Sequence, residues 1–538
     1  MSKQNLVDEA DYVVAGAGSA GCAVAARLAE SGASVVLLEA GGSDDKILYK
    51  LPGLIAPMHA VPQIEKLADW GYHTTPQKHA LDRKIPQTRG KVLGGSSSVN
   101  GMLWVRGNRA NYDDWVAEGN KGWGADDVND VYRRMEDFED GGNEFRGAGG
   151  PIKVTRNANP TEASQQFQDA AADTLGVRVL EDYNAESQEG FSTFQQNTSD
   201  GLRYSSSRAY LHNGSHPTLS VQTGVTVARI VIEGGRATGV EVIDKSGRRR
   251  TIRAHSEVIV SAGVFGSPQL LMLSGVGHAD HLAEKGITTV MDLPVGDNLH
   301  DHLFVPTSWS MPNATHRGTP GYFARGMAKQ FTRGGSFLEN SVFEAVGFVR
   351  TSLAADVPDL QIHVLPWGYP SPNQDAPTFH GVDPFPCLTV MSTLIYPRSR
   401  GTVRLATNDP TKAPLIDFNY LAESGDRQVL REGVEMIREI MGNAKIAPSS
   451  KGEVHPGAEH TGADLDREIL NRATTVYHGV GSCRMGVDEN AVVDPELRVR
   501  GIDGLRVADA SIMPTITGGN TNAPSIMIGE KCAELILG

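Results

Sequence analysis

Near its start the chain reads Asp11-Tyr-Val-Val-Ala15, then GAGSAG from Gly16 to Gly21, an alanine-rich run to Ser31, Ala33-Ser-Val-Val-Leu-Leu38, and Glu39. A bare GxGxxG is a weak signal. Here strand, tight turn, helix, strand and acid follow in order within about thirty residues, the pattern of a βαβ dinucleotide-binding unit. The sequence predicts strands over 11–15 and 33–38 around a helix over 23–31, closed by Gly32. Gly16 permits the turn, Gly18 lets a pyrophosphate approach the backbone, and Gly21 lets helix pack on strand. Ser19 and Ala20 place free amides and the positive end of a helix dipole at the phosphates. Glu39, with Ala40 beside it, is positioned for a ribose diol.

The rest of the composition narrows the class. At 538 residues the chain has room for about three to four domain-sized units. Its 40% hydrophobic and 21% charged content can bury a large core, which excludes a disordered chain. Sixty glycines fall in clusters without a period, excluding collagen and solenoid repeats. Fifty basic against 64 acidic residues give a net charge of −14, with no basic cluster, so neither nucleic acid nor an anionic membrane is an expected partner. The four cysteines form no CxxC pair or His/Cys ligand spacing; no metal is expected, and a reducing, cytoplasmic compartment suits them. The opening MSKQNLVDEA lacks the basic-then-apolar order of a leader, and the apolar stretch 12–26 is broken by three glycines, so no membrane segment is expected. Alternating segments from Ser220 to Ala262 read as an antiparallel meander followed by a strand returning to the main sheet. Residues 304–474 read as a sheet-based second domain, and the last sixty residues return to glycine-rich strand–turn–helix chemistry, with a helix over 523–537. The expected fold is α/β (α+β): a discontinuous Rossmann-like domain (1–155, 215–303, 475–538) and a substrate domain on an antiparallel sheet (156–214, 304–474).

A second glycine cluster, RGKVLGGSSSVNGMLWVRG (89–107), has apolar flanks that argue for burial. Two glycine-rich ligand segments plus a third at the C-terminus suit a long cofactor such as FAD better than NAD. This segment, SAGVFGSPQLLMLSGVG (261–277), PVGDNLHDH (294–302), NSVFEAVGFVR (340–350), PRSRGTVRL (397–405), YHGVGSCRMG (477–486) and the stretch GLRVADASIMPTITGGNTNAPSIMIGEK together resemble the glucose–methanol–choline (GMC) flavoproteins, in their choline-dehydrogenase-like branch. The resemblance covers nearly the whole chain. It implies FAD-dependent oxidation of an alcohol, primary by expectation, to an aldehyde, with electrons passed to O2 or a quinone-like acceptor. The alternative on the same scaffold is a lyase or photoenzyme of the hydroxynitrile lyase or fatty-acid photodecarboxylase type.

Carried over by residue, His478 matches the family's catalytic histidine and Asn520 the second member of its active-site pair. The chemistry agrees: a neutral imidazole accepts a proton near pH 7, and burial keeps it neutral. An amide does not titrate, so Asn520 is expected to orient the substrate oxygen. Expected cofactor contacts, besides the first turn, Glu39 and Ala40, are Trp70, Arg89, Val92, Gly94, Ser98, Asn100, Gly101, Met102, Leu103, Val227, Ala262, Asp509, Ala510, Asn520 and Thr521. Tyr477, Glu344, His363 and Trp367 are the candidate substrate residues. Cys483 reads as a small buried apolar residue. Two departures from the family pattern matter. Val99 stands where some relatives carry a flavin-linking histidine, so the FAD is expected to be non-covalent. Gly479 stands where many have proline, which is expected to loosen the loop of His478.

Overall fold

A computed structural model describes residues 7–312, 319–374, 376 and 383–538, the side chains of residues 59 and 60 excepted. The first six residues, part of the polar opening read above, lie outside the described residues.

The strands Glu9–Ala15 and Val35–Glu39 pair in parallel, with Tyr12 opposite Val35. Val35–Glu39 is buried throughout, as an apolar run covered on both faces of a parallel sheet should be. The helix between them spans Ser19–Glu30, starting at Ser19 rather than Ala23, because the glycine turn is itself the first helical turn and Gly18 caps it. Gly16 sits at φ +110°, where a Cβ would lie 2.3 Å from the carbonyl oxygen of Ser261. A Cβ on Gly21 would lie 1.9 Å from the carbonyl oxygen of Gly16. Both positions therefore exclude any side chain, for reasons of turn and packing respectively.

The first sheet runs in the order Leu219–Thr223, Val35–Glu39, Glu9–Ala15, Arg249–Val260, Arg236–Asp244, Val225–Glu233. Leu505–Val507 adds in parallel against the end of Arg249–Val260. That long strand begins in an antiparallel hairpin and ends as the parallel neighbour of Glu9–Ala15, the return expected from the sequence. The meander starts at Val225, not Ser220. Gly224 (φ +72°) breaks the chain, and Leu219–Thr223 runs alone as a parallel edge beside Val35–Glu39.

The C-terminal helix Asn522–Leu537 lies along Ser19–Glu30. Arg27 pairs with Glu530 through two hydrogen bonds of 2.9 and 3.0 Å, and Ser19 donates to Asn522 at 2.9 Å. The end of the chain thus completes the layer begun by its start.

The second sheet is antiparallel, in the order Glu453–His455, Leu303–Ser310, Cys387–Leu394, Leu360–Leu365, Ala345–Val349, Gly190–Thr193, with Thr474–Thr475 pairing against the start of Leu303–Ser310. The helix Ser424–Met441 covers the strand Cys387–Leu394, and Glu162–Leu175 packs on that helix. Val429, Leu430, Val434 and Ile437 recur at helical spacing on the buried face of Ser424–Met441. The four cysteines are free and buried. No helix among the described residues is long and apolar enough to cross a membrane.

Candidate active site

A cavity of about 440 Å³ joins the two sheets. Gly16, Gly18, Ser19, Ala20, Glu39 and Ala40 of the first βαβ unit line it, and so do His363, Trp367, Tyr477, His478 and Asn520. Arg89, Asn100 to Leu103, Ala262, Asp509, Ala510, Trp70, Val227 and Thr521 complete the expected residues that line it. Its volume and its two glycine-rich lining segments suit a dinucleotide.

The residues present meet three needs of such a group. A Cβ on Gly18 would meet only the Ser261 carbonyl oxygen, at an ordinary contact distance of 3.9 Å, so its backbone is approachable where those of Gly16 and Gly21 are not. Glu39 is buried and accepts from the backbone N–H groups of Ala17 (3.3 Å) and Gly41 (2.7 Å), which holds its carboxylate at the cavity wall. Burial lifts its pKa to about 7 against those two hydrogen bonds, so a hydroxyl donor beside it would favour the ionised form. Arg89 donates from Nη1 to the carbonyl of Tyr477 and lies over the Phe265 ring, while its buried Nε and Nη2 have no partner among the described residues. Burial depresses its pKa, offset in part by Asp301 and the nearby phenols. A guanidinium left with unused donors calls for an acceptor-rich occupant.

Five expected residues stand outside the cavity lining. Gly21 packs helix on turn, as described. Val92 is buried in an apolar cluster with Tyr49, Met58 and Val99. Gly94 donates to the carbonyl of Ala17 at 2.8 Å, and Ser98 donates to the carbonyl of Leu93 at 2.7 Å; both brace the loop whose neighbours Gly95 and Ser96 form the wall. Glu344, expected near the substrate, is not among the lining residues. It is fully buried and accepts from the Thr161 N–H (2.8 Å), the Thr161 hydroxyl (2.7 Å) and the Ser164 hydroxyl (2.6 Å). Its carboxylate therefore serves the start of the helix Glu162–Leu175, where an acid is stabilised by free amides and the dipole.

A different acid, Glu65, lines the cavity and was not singled out from sequence, because nothing in PQIEKLADW marks it. It accepts from the Thr88 hydroxyl at 3.1 Å. Burial, and after it the Glu65 charge, pushes the Tyr369 phenol up to about 12. Burial also raises Tyr477, with Tyr369 and Glu65 adding to it.

His478 follows the short strand Thr474–Thr475. Its backbone N–H donates to Asp301 Oδ1 at 2.8 Å, and Val480 and His300 exchange backbone hydrogen bonds of 2.9 and 3.2 Å. The loop around Gly479 is thus clamped on both sides. The ring Nε2 of His478 receives Asn520 Nδ2 at 3.1 Å, and Asn520 Oδ1 accepts from Gln361 Nε2 at 3.2 Å. Nδ1 lies 3.0 Å from Nδ1 of His302. Burial drives the His478 pKa well below the ordinary imidazole value, with His302, His363 and Arg89 acting the same way. His363 is buried, within 3.1 Å of the Thr393 hydroxyl, and burial lowers its pKa to about 3. The site thus holds neutral imidazoles at pH 7.

Residues 10–304 match the N-terminal part of the GMC oxidoreductase family and residues 397–529 its C-terminal part. The chain is 41% identical to an oxygen-dependent choline dehydrogenase of Sinorhizobium medicae, covering 98% of this chain and 96% of that one, and 40% identical to its counterpart of Brucella suis over the same shares. Among solved structures it superposes on a variant of Aspergillus oryzae formate oxidase with a TM-score of 0.89 at 28% identity, covering 99% of each chain. The pyridoxine 4-oxidase from Mesorbium loti gives 0.84 at 28%, covering 97% of this chain and 98% of that one. The lyase alternative finds no support among these relatives. Two family segments on one chain, with the glycine turn and a buried histidine lining one cavity, place this chain in the GMC oxidoreductase family, as an FAD-dependent oxidoreductase acting on CH–OH donors.

Proposed function

We propose that the chain oxidises a small primary alcohol to its aldehyde with His478 as the proton acceptor, and that choline is the alcohol its cavity suits. The observation that carries the reading is the Nε2 of a neutral, buried His478, held beside the Asn520 amide in the cavity that the glycine turn also lines. The turn at Gly16 and Gly18, Glu39, Arg89, the segment Asn100 to Leu103 and Asp509–Ala510 would hold FAD, within a domain formed by 1–155, 215–303 and 475–538. When bound, the flavin supplies the two-electron acceptor for the hydride. His478 Nε2 takes the hydroxyl proton, and Asn520 fixes the substrate oxygen so that the carbinol C–H has one direction to leave. Arg89, a buried cation near His478, opposes protonation of the resting imidazole and favours the developing alkoxide.

The choline reading rests on the aromatic lining, Phe304, Trp367, Tyr369 and Tyr477, together with the acid Glu65, which acts on the Tyr369 and Tyr477 phenols. Ring faces and one carboxylate attract a quaternary ammonium without quenching it. Val99 offers no nucleophile, so FAD is held by contacts alone. The unpaired buried cysteines suit a cytoplasmic setting. The test is a panel of choline, benzyl alcohol and short aliphatic alcohols assayed with both O2 and an artificial quinone-like acceptor. Choline is expected to give the highest kcat/KM; an enzyme that turns over none of the panel with either acceptor contradicts the reading.

A further inference from the structure

The motif PVGDNLHDH ends in His302, which neither lines the cavity nor enters the chemistry above. It is fully buried just before the strand Leu303–Ser310. Its Nε2 lies 2.9 Å from the backbone carbonyl of Ile395, and its Nδ1 lies 3.0 Å from Nδ1 of His478. A carbonyl oxygen only accepts, so Nε2 of His302 must carry a hydrogen. Burial holds His302 neutral, with a pKa of about 3, and a neutral imidazole has one N–H. Nδ1 of His302 is therefore a lone pair, and the hydrogen in the His302–His478 contact belongs to His478. That leaves Nε2 of His478 bare, facing Asn520 and the cavity.

We propose that His302 is the positioning residue that selects the tautomer of His478, and so decides which ring nitrogen receives the substrate proton. The inference rests on the role of His478 proposed above. The amide side of the ring cannot make this choice alone. Were Gln361 and Asn520 both turned over, the Asn520 oxygen would face His478 Nε2 and favour a hydrogen there. Nδ1 of His478 would then set its lone pair against that of His302, because the fixed carbonyl of Ile395 keeps the His302 hydrogen on Nε2. The same short segment grips the other half of the residue, since Asp301 holds the His478 N–H and is itself held by the hydroxyls of Tyr420 (2.6 Å) and Thr475 (2.5 Å). When Nε2 takes the substrate proton, the Nδ1–H remains donated to His302, which shares the new positive charge. The other charged or titratable groups acting on His478 are Arg89 and His363, and neither competes for Nδ1.

The test compares His302→Gln with His302→Leu in the FAD-loaded enzyme by anaerobic stopped-flow reduction, using choline or whichever panel alcohol reduces the wild type fastest. A glutamine amide donates to Ile395 and accepts from His478, restoring the tautomer; leucine does neither. The expected result is at least about a 100-fold loss of reduction rate in the leucine variant at unchanged substrate dissociation constant, with the glutamine variant within about tenfold of wild type. A leucine variant within about tenfold of wild type, or a glutamine variant no faster than leucine, overturns the proposal. Should the leucine variant lose its flavin, the wild type decides the matter. Ring-nitrogen NMR of ¹⁵N-histidine holoenzyme, with His478 assigned by its loss in His478→Ala, is expected to show the Nδ1–H form, and the Nε2–H form overturns the proposal. A His478→Ala variant that reduces normally would instead defeat the functional reading while leaving the tautomer result intact.

Discussion

Glu65 and Glu344 show how little a residue's neighbours in sequence say about where its charge goes. Glu344 sits in a family motif and an acidic site is expected there, yet its three hydrogen bonds tie it to Thr161 and Ser164. Glu65 sits in an unremarkable stretch and reaches the cavity beside Tyr369 and Tyr477. Glu65→Gln is therefore expected to raise KM for choline about tenfold while changing KM for benzyl alcohol less than about twofold, because only the first carries a charge to be matched. Steady-state assays of the two alcohols read this directly; equal effects on both would remove Glu65 from substrate recognition. His478 and Asn520 were legible because their motifs name them, and the structure sets them 3.1 Å apart. His302 was not, since its meaning lies in a hydrogen bond to the carbonyl of Ile395, ninety-three residues away in sequence.

Among the elements, the first βαβ unit was readable to within a few residues, because apolar strands and a glycine turn obey local rules. The helix start was misplaced toward Ala23 because glycine is a poor helix former by propensity, and only the close packing on Ser261 and Gly16 makes it fitting there. The strand Leu219–Thr223 was merged with the meander because alternation carries no information on which partner a strand will find. In the loop after Gly94, Gly95 and Ser96 face the cavity while Gly94 and Ser98 brace it, a distinction that side-chain type alone does not make. Val99, in the same loop, also lines the cavity and has no group to bond a flavin. Heat or acid precipitation of the loaded enzyme is expected to leave yellow flavin in the supernatant; flavin retained in the washed pellet would show a covalent link elsewhere.

For the molecule entire, burying His300, His302, His363 and His478 near the junction of the two sheets couples stability to pH. Burial sets the first three to about 3 and the fourth well below the ordinary 6.5. Below pH 6.5 the unfolded chain binds protons that the folded chain refuses, so stability falls as pH falls, by about 1.4 kcal/mol per pH unit for each such histidine. The melting temperature of the holoenzyme is expected to drop steadily from pH 7 to pH 5, and a flat profile would place these rings in water. The neutrality that costs stability in acid is what the role proposed for His478 requires at pH 7. The most direct measurement of that claim is anaerobic mixing of choline with FAD-loaded wild type and His478→Ala. The wild type should bleach its flavin band, and the variant, with FAD still bound, should bleach at least about 100-fold more slowly. Equal bleaching in the two would contradict the account.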